Sequence, residues 1–157
     1  MESQSATSSG QLAALSEELA DAVELAARSV VRVDARRGNA SSGIVWHGDG
    51  YILTADHTLE REEDINVGTG DGRTLKGRLV ARDPGSDLAL LKVDASDLTP
   101  AQLAQDSETK IGHLVLAVGR PGSAGVMASL GIISAKGGAW RTARGGQLDA
   151  FVRTDAT

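Results

Sequence analysis

The chain has 157 residues, a formal net charge of −5 and a pI near 5.1, a balance that argues against polyanion binding. With 41% hydrophobic and 24% charged residues it has the composition of a globular protein, and its four aromatics (Trp46, Tyr51, Trp140, Phe151) are too few and too scattered to stack bases. It has no cysteine, which excludes disulfides, thiolate metal sites and a cysteine nucleophile.

Residues 1–10 are Ser-rich and are expected to form a disordered tail. They carry no basic segment followed by an apolar run, so they do not read as a secretory signal, and no apolar stretch approaches the roughly 18 residues of a membrane span. As written the sequence predicts a cytoplasmic chain with no integral membrane segment; a longer precursor would make an envelope location possible.

From residue 11 to 28 the period becomes helical. Leu12, Leu15, Leu19, Ala22, Val23 and Ala26 share one face, with Glu17 and Glu18 early and Arg28 late, as the helix dipole favours. This amphipathic helix is expected to dock on the body that follows or to pair with a neighbour, so a homo-oligomer is one expectation.

After Ser29 the pattern switches to nine short β-type runs: 30–35, 43–47, 51–54, 64–69, 74–81, 88–93, 114–118, 127–135 and 148–153. Gly48-Asp49-Gly50 and Gly70-Asp71-Gly72 are hairpin signals. Many short strands without intervening helical patterns predict an all-β barrel or sandwich. Residues 95–111 break the rhythm and read as a linker. The first β unit then covers 29–94 with six strands, enough to close a small barrel, and the second, 112–157, shows three.

Two segments carry chemistry. Thr54-Ala55-Asp56-His57 closes an apolar strand, and Asp83-Pro84-Gly85-Ser86-Asp87 leads into Leu88–Val93. Alone, His57 reads as a surface residue and Asp87 as a turn residue. Together they can form a general base oriented by a carboxylate, if Asp87 is buried and answers the imidazole N–H. His47 and His113 have no acidic neighbour at metal-ligand spacing and read as neutral structural histidines. Gly68-x-Gly70-x-Gly72 precedes no helix and reads as a hairpin turn rather than a dinucleotide loop. The glycine-flanked basic stretch 137–146 reads as a solvated loop or as a regulatory or substrate-contacting one.

These residues and their flanks resemble the trypsin-like serine proteases of the HtrA/DegP type over roughly residues 29–157. Ser42-Gly43-Ile44-Val45, the box from Gly50 to His57, Asp71-Gly72-Arg73 and the box from Asp83 to Val93 match in order. So do Ile111 to Pro121, Ser129 to Ala135, and Arg153-Thr154-Asp155-Ala156. The resemblance implies two six-stranded barrels, the second partial here, with the active site in the cleft between them and His57 and Asp87 both from the first. It implies a serine endopeptidase acting on unfolded or damaged polypeptides, with no cofactor and no metal.

The family's Gly-x-Ser-Gly-Gly nucleophile loop is expected about ten residues after Thr154-Asp155. Of Ser41, Ser42, Ser86, Ser107, Ser123, Ser129 and Ser134, none has that context, and Ser123 reads as part of a loop between strands. The chain as written is therefore expected to lack turnover. Thr58-Leu59 stands where the family usually has two valines. A pseudo-protease or peptide-binding barrel, and a scaffold assembled through the helix, remain the alternatives.

Overall fold

The computed structural model describes residues 2–105, 108–142 and 145–157, with side chains from Gly10 onward. The helix α1 runs Glu2–Ala27, so residues expected as a disordered tail are helical from Glu2. A helix whose nucleus is already formed extends at little cost per residue, which composition alone understates. Among the described side chains the helix meets the body towards its C-terminal end: Leu19, Val23 and Ala27 are half-buried, while Leu12, Leu15 and Leu25 are exposed.

Six strands follow: β1 (Val30–Asp34), β2 (Ser41–His47), β3 (Tyr51–Ala55), β4 (Ile65–Gly68), β5 (Thr74–Asp83) and β6 (Leu88–Val93). They close a barrel in the order β1-β2-β3-β6-β5-β4, antiparallel at every seam. Closure leaves this unit no free sheet edge. Inward positions of period two fill the interior: Val31, Val33, Val45, Ile52, Ile65, Val67, Leu91 and Val93 are at most 1% exposed. Each contributes about 1.5–3 kcal/mol by leaving water.

The motifs acquire physical reasons. A Cβ on Gly43 would stand 2.8 Å from Ile52 Cγ2 and 2.9 Å from Val33 Cγ2, so the barrel at β2 has room only for glycine. Gly50 adopts φ +92° in the β2–β3 turn, and a Cβ there would meet the Val93 carbonyl oxygen at 2.4 Å. The Gly70-Asp71-Gly72 signal is the β4–β5 turn, closed by Thr69 N–H donating to the Arg73 carbonyl at 2.9 Å.

Beyond the barrel lie β7 (Leu114–Gly122), β8 (Gly125–Gly137), β9 (Trp140–Arg141), β10 (Gln147–Leu148) and β11 (Phe151–Thr154). β7 and β8 form a hairpin whose tip is Ser123-Ala124, and the sheet order is β11-β8-β7; β9 and β10 pair separately. The run expected at 148–153 is thus split into β10 and β11, and a short β9 precedes it. Thr154-Asp155-Ala156 folds back on β8: the Asp155 carboxylate accepts the Ile132 N–H at 2.7 Å, and a Cβ on Gly131 would collide with Ala156. This sheet leaves Leu114, Met127, Leu130 and Ile132 exposed, and of its apolar side chains only Ile133 is counted in the buried core. Arg120 ties it to the rest, donating from its backbone N–H to Ser42 Oγ at 2.7 Å and from its guanidinium to the carbonyls of Val30 and Ala27.

Candidate active site

β3 ends at Ala55 and the chain enters a single 3-10 turn, Asp56–Thr58. The turn is closed from within: the Thr58 hydroxyl donates to the Ala55 carbonyl at 2.7 Å and the Leu59 N–H to the Asp56 carbonyl at 3.0 Å. The Ser41 hydroxyl donates in turn to Thr58 Oγ1 at 3.1 Å, and Leu59 enters the barrel core. Thr58-Leu59 therefore serves turn and core where a pair of valines would serve packing alone.

β6 is the direct neighbour of β3, with Ala55 opposite Leu88, so the residue before β6 stands beside the residue after β3. That is how Asp87 meets the turn. Its carbonyl accepts the Asp56 N–H at 3.1 Å, its Oδ1 accepts the His57 N–H at 2.9 Å, and its Oδ2 lies 2.6 Å from His57 Nδ1. Asp87 adopts φ +59°, in the left-handed region that aspartate tolerates better than most residues. The backbone conformation aims the carboxylate back over the turn.

A carboxylate only accepts, so Nδ1 carries the proton and the neutral ring has its acceptor at Nε2. The two side chains are 52% and 40% exposed, so Asp87 is half-buried rather than buried as expected. β6 explains this: Ala89, Leu91 and Val93 face the interior, whereas Leu88 on the alternate face is exposed, and Asp87 sits at the rim.

Two further features surround the pair. Asp56 is the buried carboxylate of the turn, its side chain 5% exposed, and Arg82 Nε donates to its Oδ1 at 2.6 Å. This hydrogen bond, opposed by desolvation, raises the Arg82 guanidinium above its ordinary value. Arg82 also reaches Glu62 Oε1 at 3.3 Å. On the other side, the turn before Asp87 is braced by Asp83, which accepts from the Ser86 hydroxyl at 2.6 Å and the Gly85 N–H at 2.9 Å, and whose pKa is lowered by these bonds. The Thr142 hydroxyl, between β9 and β10, donates to the Gly85 carbonyl at 2.7 Å. The basic stretch singled out in the sequence thus touches this turn through Thr142 and Gly146; Ala143 and Arg144 lie outside the described residues.

The other candidates lie elsewhere. His47 pairs with Asp49 at 3.4 Å with its side chain 64% exposed, and His113 Nδ1 accepts the Lys110 N–H, so both stand at the surface rather than inside the structure. Among the described residues no three His, Cys, Asp or Glu side chains converge as metal ligands. Of the serines, Ser41, Ser86 and Ser134 donate to neighbouring groups and Ser42 Oγ accepts from Arg120, while Ser107 lies outside the described residues. A cavity of about 480 Å³ between α1 and the barrel, lined by Glu24, Arg28, Asp71, Arg73 and Arg120 among others, contains neither His57 nor Asp87.

The chain thus presents a closed six-stranded barrel joined to a second β unit, with a histidine and a carboxylate in contact at the barrel's rim. A family model described as "Trypsin-like peptidase domain" matches residues 41–157. The chain belongs to this family. A protein of Pseudomonas fulva named "Probable periplasmic serine endoprotease DegP-like" is 39% identical over 114 residues, covering 73% of this chain and 23% of its own length. One of the same name from Hahella chejuensis is 38% identical over 117 residues, 74% of this chain and 24% of the relative. The chain therefore spans about a quarter of the length of these curated relatives. Among solved structures, the serine endoprotease from Yersinia pestis aligns with TM-score 0.67 and 33% identity, over 82% of this chain and 52% of that one. Deg5 aligns with TM-score 0.75 and 25% identity, over 90% and 75%. Among the described residues no helix is long and apolar enough to cross a membrane.

Proposed function

We propose that the protein is a serine endopeptidase of the HtrA/DegP type acting on polypeptides, with His57 as general base and Asp87 as its orienting carboxylate. The observation that carries this is the 2.6 Å contact between His57 Nδ1 and Asp87 Oδ2, made by a residue in the left-handed region. Asp87 holds the Nδ1–H tautomer and stabilises the imidazolium without itself taking the proton. Nε2 would remove the proton of a serine as its oxygen attacks the scissile carbonyl, then return it to the leaving amine; water would resolve the acyl-enzyme.

No serine of this chain stands in a Gly-x-Ser-Gly context, so the 157-residue polypeptide by itself is expected not to turn over. The domain organisation proposed is a catalytic-base barrel at 29–94, a link at 95–111 and a β unit at 112–157 that belongs to a second barrel. Since these relatives carry the word periplasmic in their names, an envelope location is proposed in place of the cytoplasmic one expected from sequence, which those names do not support.

The test is unfolded casein as substrate for the product of the whole gene, with His57→Ala, and for the 157-residue chain. Cleavage by the former that falls by about 10⁴-fold in His57→Ala supports the reading. Retained cleavage in His57→Ala removes His57 from the chemistry. Peptide binding without any cleavage would favour the peptide-binding barrel.

A further inference from the structure

The buried charge next to the imidazole has a partner that the strand pattern would have pointed the other way. Along β5, Leu79 is opposite Leu91, an inward residue, so strict alternation would send Arg82 outward. A bulge between Leu79 and Ala81 shifts the register by one, after which Arg82 stands opposite Ala89, 1% exposed and inward-facing. The extra residue, Val80, thereby turns the guanidinium over the end of the barrel and onto Asp56. Five residues later the same β5–β6 hairpin delivers Asp87 to His57.

We propose that Arg82 is a positioning residue. The β5–β6 hairpin grips two consecutive residues of the histidine turn through contacts of opposite polarity, Arg82 on Asp56 and Asp87 on His57. The first contact fixes the turn on which the imidazole rides and neutralises the Asp56 carboxylate one residue away from it. An unpaired carboxylate in that buried position would draw a proton onto the ring and oppose its use as a base. The charged groups in contact here are Asp87 on His57, Arg82 on Asp56, and Glu62 on Arg82, its side chain 69% exposed, with Asp83 bracing the turn that ends in Asp87. The inference rests on His57 and Asp87 being the working pair.

The test is an NMR titration of the His57 ring in the 157-residue chain, together with the solvent exchange of its Nδ1 proton. In Arg82→Gln the uncompensated Asp56 carboxylate moves the His57 midpoint to higher pH, and in Asp56→Asn the uncompensated Arg82 cation moves it lower, each by about half a unit or more. Asp56→Asn/Arg82→Gln together returns it towards wild type, and Arg82→Lys restores most of what Arg82→Gln loses. Without the charge-assisted bond the Nδ1 proton exchanges about tenfold faster in either single variant. Shifts of the same sign in both single variants, or none in folded protein, overturn the proposal. If Arg82→Gln does not fold, Asp56→Asn, which leaves no buried carboxylate, decides alone by the sign of its shift. Asp87→Asn keeps the two readings apart: if it leaves the His57 signals unmoved, the pair itself is misread. If it moves them while the Asp56 and Arg82 variants do not, only the positioning role fails.

Discussion

Thr142 of the second β unit donates its hydroxyl to the carbonyl of Gly85 at 2.7 Å, and Gly85 belongs to the turn that ends in Asp87. Gly146 N–H donates back to the same hydroxyl at 3.0 Å, and a Cβ on Gly146 would stand 2.3 Å from the Gly85 carbonyl oxygen. The turn that presents the carboxylate is therefore seated against the β9–β10 hairpin. Gly146→Ala is expected to push the two apart, costing about 1–3 kcal/mol in chemical denaturation. It should also shift the His57 ring resonances, through the turn that carries Asp87. Unchanged resonances would show that the turn holds its shape without the hairpin.

Acid should weaken the same turn. The folded pKa of Asp83 is lowered by the Ser86 hydroxyl first and the Gly85 N–H second. The contribution is thus fully present above the unfolded value of about 3.9 and is lost as pH falls through the lower folded value. The thermal midpoint of wild type should exceed that of Asp83→Asn at pH 6, by a margin that narrows as pH falls below the ordinary carboxylate range. A difference that stays constant over that range would assign the effect to something other than the carboxylate.

The left-handed backbone of Asp87 separates its two contributions. Asn tolerates φ +59° and keeps an acceptor for the His57 N–H, so Asp87→Asn should retain stability while changing the His57 tautomer balance; Asp87→Ala, which loses both, should cost at least about 1 kcal/mol more. Equal denaturation midpoints for the two variants would remove strain from the account.

The barrel interior sets the scale against which these effects stand. Ile52 is fully buried at the centre of the core, so Ile52→Ala should cost about 2–5 kcal/mol. A smaller loss in urea titration would mean that the surrounding valines close over the gap.

Exposed Leu130 and Ile132, which share one face of β8, are expected to drive association of the 157-residue chain. Leu130→Lys should shift its sedimentation towards monomer without lowering the thermal transition. Unaltered sedimentation would place the contact on another face, the exposed leucines of α1 being the next to change.

Much of this was legible before any coordinates. Turn glycines at 50 and 72 and period-two apolar runs delimit the six barrel strands, and the flanks of His57 and Asp87 mark both residues. Arg82 escaped because its facing depends on a one-residue bulge at Val80, and nothing in the composition of Arg78-Leu79-Val80-Ala81-Arg82 announces a bulge. Asp56 escaped with it: a carboxylate next to a histidine reads as one more surface charge until its partner, 26 positions along, is known. Asp87 is more exposed than the sequence suggests, since the apolar run after it conceals that the chain leaves the barrel wall at this rim.

Because β3 and β6 are adjacent rungs of one ladder, the imidazole and its carboxylate are held by the wall of the barrel and not by a joint between moving parts. A protease nick in the surface segment 60–64 would leave both ends stitched to the same sheet. The pair should therefore outlast such a cut, and should come apart only when the barrel melts as a whole.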